Sequence, residues 1–252
     1  MHRAWLALVL LTCSVARGQA PSYSAANVVN AISFAPGPFA PNSVVSIFGT
    51  NLAMDKGIFV ASSTSSLPTD LDHVSVYFDN RLAPLLMVSQ GQINFVIPSD
   101  EVAGAAPVRV VRQGVSGPEV SVALAPVAPT LFPAGAYAIA EDWNNAGSVV
   151  AADAPATSGD TIILFATGLG AVIPAPGVFD IPAIAANITG SVKVLLNGSP
   201  IDPMLIKYAG LTPGCAGLYQ INFVLPEAGP DPEIQVAMGS MVSQAGLRLR
   251  VR

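Results

Sequence analysis

Gln92-Ile93-Asn94-Phe95-Val96-Ile97-Pro98 returns as Gln220-Ile221-Asn222-Phe223-Val224-Leu225-Pro226, with six of seven residues identical. In both copies the apolar residues Ile, Phe and Ile/Leu fall on alternate positions. An extended strand puts such residues on one face, with Gln and Asn on the other. The closing proline ends the run, because it has no N–H to give to a sheet ladder. Other pieces recur in the same order. Phe48-Gly49-Thr50-Asn51-Leu52 is echoed by Phe165-Ala166-Thr167-Gly168-Leu169, and Val76-Tyr77-Phe78-Asp79-Asn80 by Val194-Leu195-Leu196-Asn197-Gly198. A chain built this way is expected to use one β-unit twice.

Of the 252 residues, 52% are hydrophobic and 11% charged, with 22 glycines and 22 prolines. That much apolar surface argues against disorder. Short apolar runs broken by Gly, Pro and Asn predict an all-β protein of two tandem immunoglobulin-like sandwiches. The predicted division is 21–127 for the first and 128–252 for the second, the latter opening with an extension over 128–158. A net charge of −5 with only 11 scattered basic residues predicts no nucleic-acid partner.

Residues 1–20 have the layout of a secretory signal peptide. His2 and Arg3 give a positive start, Trp5 to Val15 an apolar stretch, and Gly18-Gln19-Ala20 small residues at a cleavage point. About 11 apolar residues are too few for a membrane span, which needs roughly 20. A lipoprotein site at Leu10-Leu11-Thr12-Cys13 is the alternative. Cleavage after Ala20 leaves nine basic against 16 acidic residues and one cysteine, Cys215. The chain is then expected outside the cytoplasm, extracellular, cell-surface or periplasmic, with no integral membrane segment and no internal disulfide.

Within each unit the expected order is an opening strand, a hairpin, the repeated strand and a closing hairpin. Asn27 to Phe34 is expected as a helical turn or an edge strand, and Met54 to Thr69 as a surface loop. Asp79-Asn80 is expected to turn the chain into Ala83 to Val88, and Asn197-Gly198 into Met204 to Tyr208. Ala125 to Phe132, with Pro126 and Pro129, is expected as the junction. Ala136 to Ala156 has no evident counterpart in the first unit.

Phe165-Ala166-Thr167-Gly168-Leu169-Gly170, Asn197-Gly198, Ala209-Gly210-Leu211-Thr212-Pro213-Gly214 and Gly217-Leu218-Tyr219-Gln220-Ile221-Asn222 resemble the Solibacter-type uncharacterised C-terminal domain of exported acidobacterial proteins. Asn30-Ala31-Ile32-Ser33-Phe34 and Val45-Ser46-Ile47-Phe48-Gly49-Thr50-Asn51-Leu52 extend the similarity to the first half, so that it spans roughly 27–251. The resemblance implies units similar to IPT/TIG domains, and an accessory or scaffold role rather than a chemical activity.

The residues themselves predict no catalytic set, cofactor or metal. His73, beside Asp72, is the one histidine left after cleavage, and no Gly-x-Ser-x-Gly elbow accompanies it. Cys215 is expected to be a partly buried, inert thiol. Glu141-Asp142 and Asp100-Glu101 are adjacent pairs, which a strand splits between its two faces, so neither makes a glycosidase site. Asp153, Asp160, Asp180 and Asp202 match no calcium loop. No P-loop occurs, and Gly168-x-Gly170 lacks the third glycine of a dinucleotide fingerprint. Gln92, Asn94, Gln220 and Asn222 are expected to satisfy backbone groups of a neighbouring loop or the linker, with ligand contact the alternative. Trp143 is the candidate for ligand contact, although core or seam packing is the plainer expectation for it and for Tyr137, Phe179 and Tyr208. The predicted function is a non-catalytic interaction module whose partner is a protein or an extracellular polymer. A carbohydrate- or polymer-binding accessory module is the alternative, and a hydrolase with an unrecognised site the least expected.

Overall fold

The computed structural model describes residues 19–252. The leader segment lies outside the described residues, apart from Gln19 and Ala20. The first half forms β1 (Val28–Asn30), β2 (Val44–Phe48), β3 (Phe59–Val60), β4 (Val74–Phe78), β5 (Arg81–Leu82), β6 (Leu85–Val88), β7 (Gln92–Val96), β8 (Gly104–Arg112) and β9 (Val115–Leu124). One sheet runs β1-β2-β7-β6-β3, the other β5-β4-β8-β9. The second half forms β10 (Thr130–Leu131), β11 (Pro133–Ala134), β12 (Tyr137–Ala138), β13 (Ala140–Asp142), β14 (Ser148–Val149), β15 (Thr161–Thr167), β16 (Val172–Ile173), β17 (Ala186–Ile188), β18 (Lys193–Leu196), β19 (Ser199–Pro200), β20 (Ile206–Leu211), β21 (Tyr219–Val224), β22 (Ile234–Met238) and β23 (Met241–Val242). Its sheets run β14-β13-β15-β21-β20-β17-β16, with β10 beside β15, and β19-β18-β22-β23. The chain is therefore all-β, two immunoglobulin-like sandwiches in tandem.

Each sandwich has its own core. Val45, Ile47, Val76, Phe78, Leu85, Ile93 and Phe95 meet between the first pair of sheets. Ile162, Leu164, Val194, Ile221, Phe223, Ile234 and Val236 meet between the second pair. Fully burying one such side chain stabilises by roughly 1.5–3 kcal/mol. With no disulfide among the described residues, these two clusters carry the fold.

The repeated strands occupy matching registers. β7 pairs β2 with Phe95 opposite Val45, Asn94 opposite Ser46 and Gln92 opposite Phe48. β21 pairs β15 with Phe223 opposite Ile162, Asn222 opposite Ile163 and Gln220 opposite Phe165. A bulge lies at the same place on the other side of each: Leu86 is skipped between Leu85 and Met87, and Lys207 between Ile206 and Tyr208. Phe95 and Phe223 are both fully buried at these corresponding positions.

Several expectations need correction. The 136–156 segment does have a counterpart. β13 pairs Ala140, Glu141 and Asp142 with Leu164, Ile163 and Ile162, as β1 pairs Val28, Val29 and Asn30 with Ile47, Ser46 and Val45. Asn30 and Asp142 even make the same turn, each accepting from the N–H two residues on. The sequence hid this because the two edge strands share no residue pattern, only geometry. The expected Asn27–Phe34 element is both things offered: a 3-10 turn at Ala25–Asn27 followed by the edge strand β1. Met54 to Thr69 is not wholly a surface loop, since it holds β3 and the buried Leu67. The two hairpins are shorter than expected. Asp79-Asn80 and Asn197-Gly198 do turn, with φ of 45–62° and 48–77°. Their return strands, however, are the two-residue stubs β5 and β19. Pro84 and the 3-10 turn at Pro203–Leu205 then end the pairing and send the chain to the opposite sheet as β6 and β20.

Candidate functional site

Two places gather side chains beyond the cores: the seam between the sandwiches, and the outer face of each large sheet. The seam is a third apolar cluster. Leu67 and Val96 of the first sandwich meet Ile181 of the second, flanked by Val44, Leu86 and Ala216. Backbone bonds stitch the same contact. Leu67 N–H donates to the Phe179 carbonyl at 2.8 Å, and Ile181 N–H to the Ser65 carbonyl at 2.9 Å. These two segments belong to corresponding loops, each lying between its sandwich's opening strand and the first strand of the opposite sheet.

Small residues let the backbones approach. Gly217 sits at φ 75°, and a Cβ there would stand 2.5 Å from Val44 Cγ2. At Gly168 a Cβ would stand 2.2 Å from the Ala128 carbonyl of the linker. Thr167 Oγ1 donates to the Gly217 carbonyl at 2.8 Å, and the buried Tyr219 hydroxyl donates to the Gly170 carbonyl. Burial pushes the Tyr219 phenol far above its ordinary range, although Asn42 of the first sandwich lies beside it. The Gly-Leu-Tyr stretch thus serves the seam, while Gln-Ile-Asn serves the sheet.

The four repeated amides point outward, half-buried. They do not satisfy loop backbone as expected. Gln92 Nε2 donates to Asn94 Oδ1 at 2.8 Å, and Gln220 Nε2 to Asn222 Oδ1 at 3.1 Å. In the first sandwich the Ser46 hydroxyl adds a bond to the same oxygen at 2.7 Å. Alternation places them there: Ile93, Phe95, Ile221 and Phe223 take the core side, so their neighbours must face out. Phe48 and Phe165 lie directly across from the glutamines. Phe34, 61% exposed at φ 57°, tilts against Phe48 with ring centroids 6.1 Å apart.

The other candidates are not brought together. Trp143 follows β13 in a 3-10 turn capped by Asp142 and is 68% exposed, packed in neither core nor seam. Phe179 is exposed at the seam edge, Tyr137 lies under the Arg250 guanidinium at 3.7 Å, and the Tyr208 hydroxyl donates to the Leu211 carbonyl at 2.7 Å. His73 is an exposed turn residue of the first sandwich and Cys215 an exposed loop residue of the second, so the thiol is open rather than partly buried. Asp100 and Glu101 are both gripped by Arg81. Asp160 accepts from Thr157, Asp180 from Gly177 and Asp202 from Met204, each closing its own turn. Among the described residues no three His, Cys, Asp or Glu side chains cluster closely enough to hold a metal ion. No described helix is long and apolar enough to cross a membrane. A groove of about 500 Å³ follows the seam, lined by Thr64, Ser65, Pro174, Asp180, Ile181 and Ile184.

The IPT/TIG domain model matches residues 28–125. No curated protein matches the chain. Among solved structures, the chain is similar to SGBP-B from a complex xyloglucan utilization locus in Bacteroides uniformis, at 9% identity and a TM-score of 0.26, covering 91% of this chain and 49% of that one. It is also similar to domains 5–6 of the S-layer protein SbsC, at 12% identity and a TM-score of 0.27, covering 92% and 98%. A third similarity is to the I9–I11 tandem of titin, at 13% identity and a TM-score of 0.25, covering 92% and 65%. The chain spans about half the length of the first of these.

Proposed function

We propose that the chain is a non-catalytic, exported scaffold made of two copies of one immunoglobulin-like unit, divided near residue 127. The observation that carries this is the seam. Leu67, Val96 and Ile181 form an apolar cluster between the sandwiches, and two backbone bonds tie corresponding loops across it. The cluster is small, but together with the two backbone bonds and the close backbone approaches at Gly217, Gly168 and Gly170 it favours one fixed angle between the units over free rotation about a linker. Two units at a fixed angle present their outer faces at a fixed spacing, which suits a module that displays contact surfaces to an extracellular protein or polymer. The separation of His73 from Cys215, on different sandwiches, supports the non-catalytic side of the reading.

The test is secretion of the chain with its first 20 residues from a bacterial host. The exported protein is expected to begin at Pro21, to scatter X-rays in solution as the seam-closed pair, and to turn over none of a panel of ester, peptide and glycoside substrates. Retention in the cytoplasm would remove the exported role. Scattering from two freely rotating units would remove the scaffold. Turnover that survives repurification would remove the non-catalytic reading.

A further inference from the structure

We infer that the outer faces of the two large sheets are matching binding strips for a neutral polysaccharide. The inference rests on the reading of the chain as a non-catalytic extracellular module and supplies the ligand class which that reading leaves open.

Each strip is an aromatic ring beside a fixed amide pair. In the first, Phe48 lies across from Gln92, and Gln92 Nε2 donates to Asn94 Oδ1. In the second, Phe165 lies across from Gln220, and Gln220 Nε2 donates to Asn222 Oδ1. The internal bond occupies the glutamine donor and the asparagine acceptor. It leaves the glutamine Oε1 and the asparagine Nδ2 without a protein partner among the described residues, on side chains that are half-open to water. One free acceptor and one free donor, held two residues apart on a strand, match a pair of sugar hydroxyls. The adjacent ring supplies an apolar surface for the C–H face of a pyranose. The amides are ordered before any ligand arrives, so binding costs them little further conformational freedom.

The chemistry around the strips argues for a neutral ligand. Beside the first stand Phe34, Met87 and Val60. The strand partners of Gln92 and Asn94 are Phe48, Met87 and the buried Ser46, none of them charged, and Val44 and Val96 further along the same strands belong to the seam. Beside the second, Tyr208 pairs with Asn222, and Glu141 stands one strand further at Ile163. The exposed Lys207 ammonium donates to the Met204 carbonyl at 2.8 Å. The second strip therefore sets one carboxylate against one ammonium, with no excess of positive charge to draw a polyanion. Interior packing does not account for these amides, because they face outward and bond mainly to each other. The same bond at the same register in two sandwiches gives the chain two like sites on one polypeptide.

Native electrophoresis of the whole chain through gels containing hydroxyethylcellulose, glucomannan, arabinoxylan or dextran tests this, with alginate as the charged control and mobility taken relative to a plain gel. Asn94→Asp and Asn222→Asp keep an oxygen that accepts from glutamine and replace the outward NH2 donor with a charged carboxylate oxygen, which cannot donate to a sugar hydroxyl. Retardation is expected in at least one neutral gel. Each single variant is expected to lose about tenfold in apparent affinity, as one of two linked sites is removed. The double variant is expected to run unretarded while melting as a folded protein. The inference is overturned by an unretarded wild-type chain in all four neutral gels, by retardation in alginate alone, or by a double variant that is held as firmly as wild type. It is also overturned if Trp143→Ala, rather than the asparagine variants, abolishes retardation. Clearing of the gel polysaccharide around the band would instead overturn the non-catalytic reading; an unretarded band in an intact gel overturns only the ligand class.

Discussion

At the scale of single residues, the two central phenylalanines should behave alike. Phe95 and Phe223 are fully buried at corresponding registers. Truncating either to alanine is expected to cost about 3–5 kcal/mol, the range for a large core side chain that leaves a cavity. Urea unfolding of Phe95→Ala and Phe223→Ala checks this, and a loss in only one would mean the cores are not equivalent. Glu101 carries a second prediction. Its side chain is 3% exposed against Arg81, which also holds the more open Asp100. Burial pushes the Glu101 carboxyl above its usual range in spite of Arg81, while the hydrogen bond from Arg81 holds Asp100 below it. A carboxyl whose folded pKa is raised favours the fold when protonated. That contribution is complete below its unfolded pKa of about 4.3 and is lost as pH rises through the folded value. The melting temperature of wild type relative to Glu101→Gln should therefore rise as pH falls from 7 towards 4. A difference that shrinks instead would show the Arg81 pairing outweighing burial.

At the scale of elements, loops and turns divide into those legible from residue type and those fixed by a neighbour. Gln113-Gly114 and Asn197-Gly198 both take positive φ at each residue, as two-residue hairpin turns require. Gly198 meets nothing within 4 Å, so Gly198→Ala adds only the conformational cost of a side chain at φ 77°. Gly217 has the same backbone requirement and a neighbour as well, because its Cβ would strike Val44 Cγ2. Gly217→Ala should thus destabilise by more than the roughly 1–2 kcal/mol expected of a left-handed alanine, and by more than Gly198→Ala. Chemical denaturation of the two variants measures the difference. Hydrogen exchange at the Leu67 and Ile181 amides should speed up in Gly217→Ala alone. Equal effects would mean that the seam yields freely at Gly217.

At the scale of the whole molecule, the question is whether two cores behave as one. The seam cluster is small beside either core, yet it joins loops whose own positions depend on both sandwiches. A contact of this kind couples the units only while it stays dry. Calorimetry is expected to show one cooperative transition for wild type. Leu67→Asp, which places a carboxylate among Val96, Ile181 and Leu86, should separate it into two. Two transitions already present in wild type would show that the sandwiches unfold independently.

Sequence alone settled what depends on alternation and turn chemistry. The repeated strand, its core-facing Ile and Phe, the opening strands and the Asx-Gly-type turns follow from side-chain period and φ preference, which are local properties. Local properties could not supply the partners. Asn222 was legible as an outward amide, but its bond to Gln220 required the rotamers of both. The kinship of β1 and β13 lay in register, with no residue shared between Val28-Val29-Asn30 and Ala140-Glu141-Asp142. The meeting of Leu67 with Ile181 joins residues over a hundred positions apart in a polar loop and a proline-rich one. Such a contact is decided by where two completed sandwiches can bury apolar surface against each other, and that exists only once both have folded.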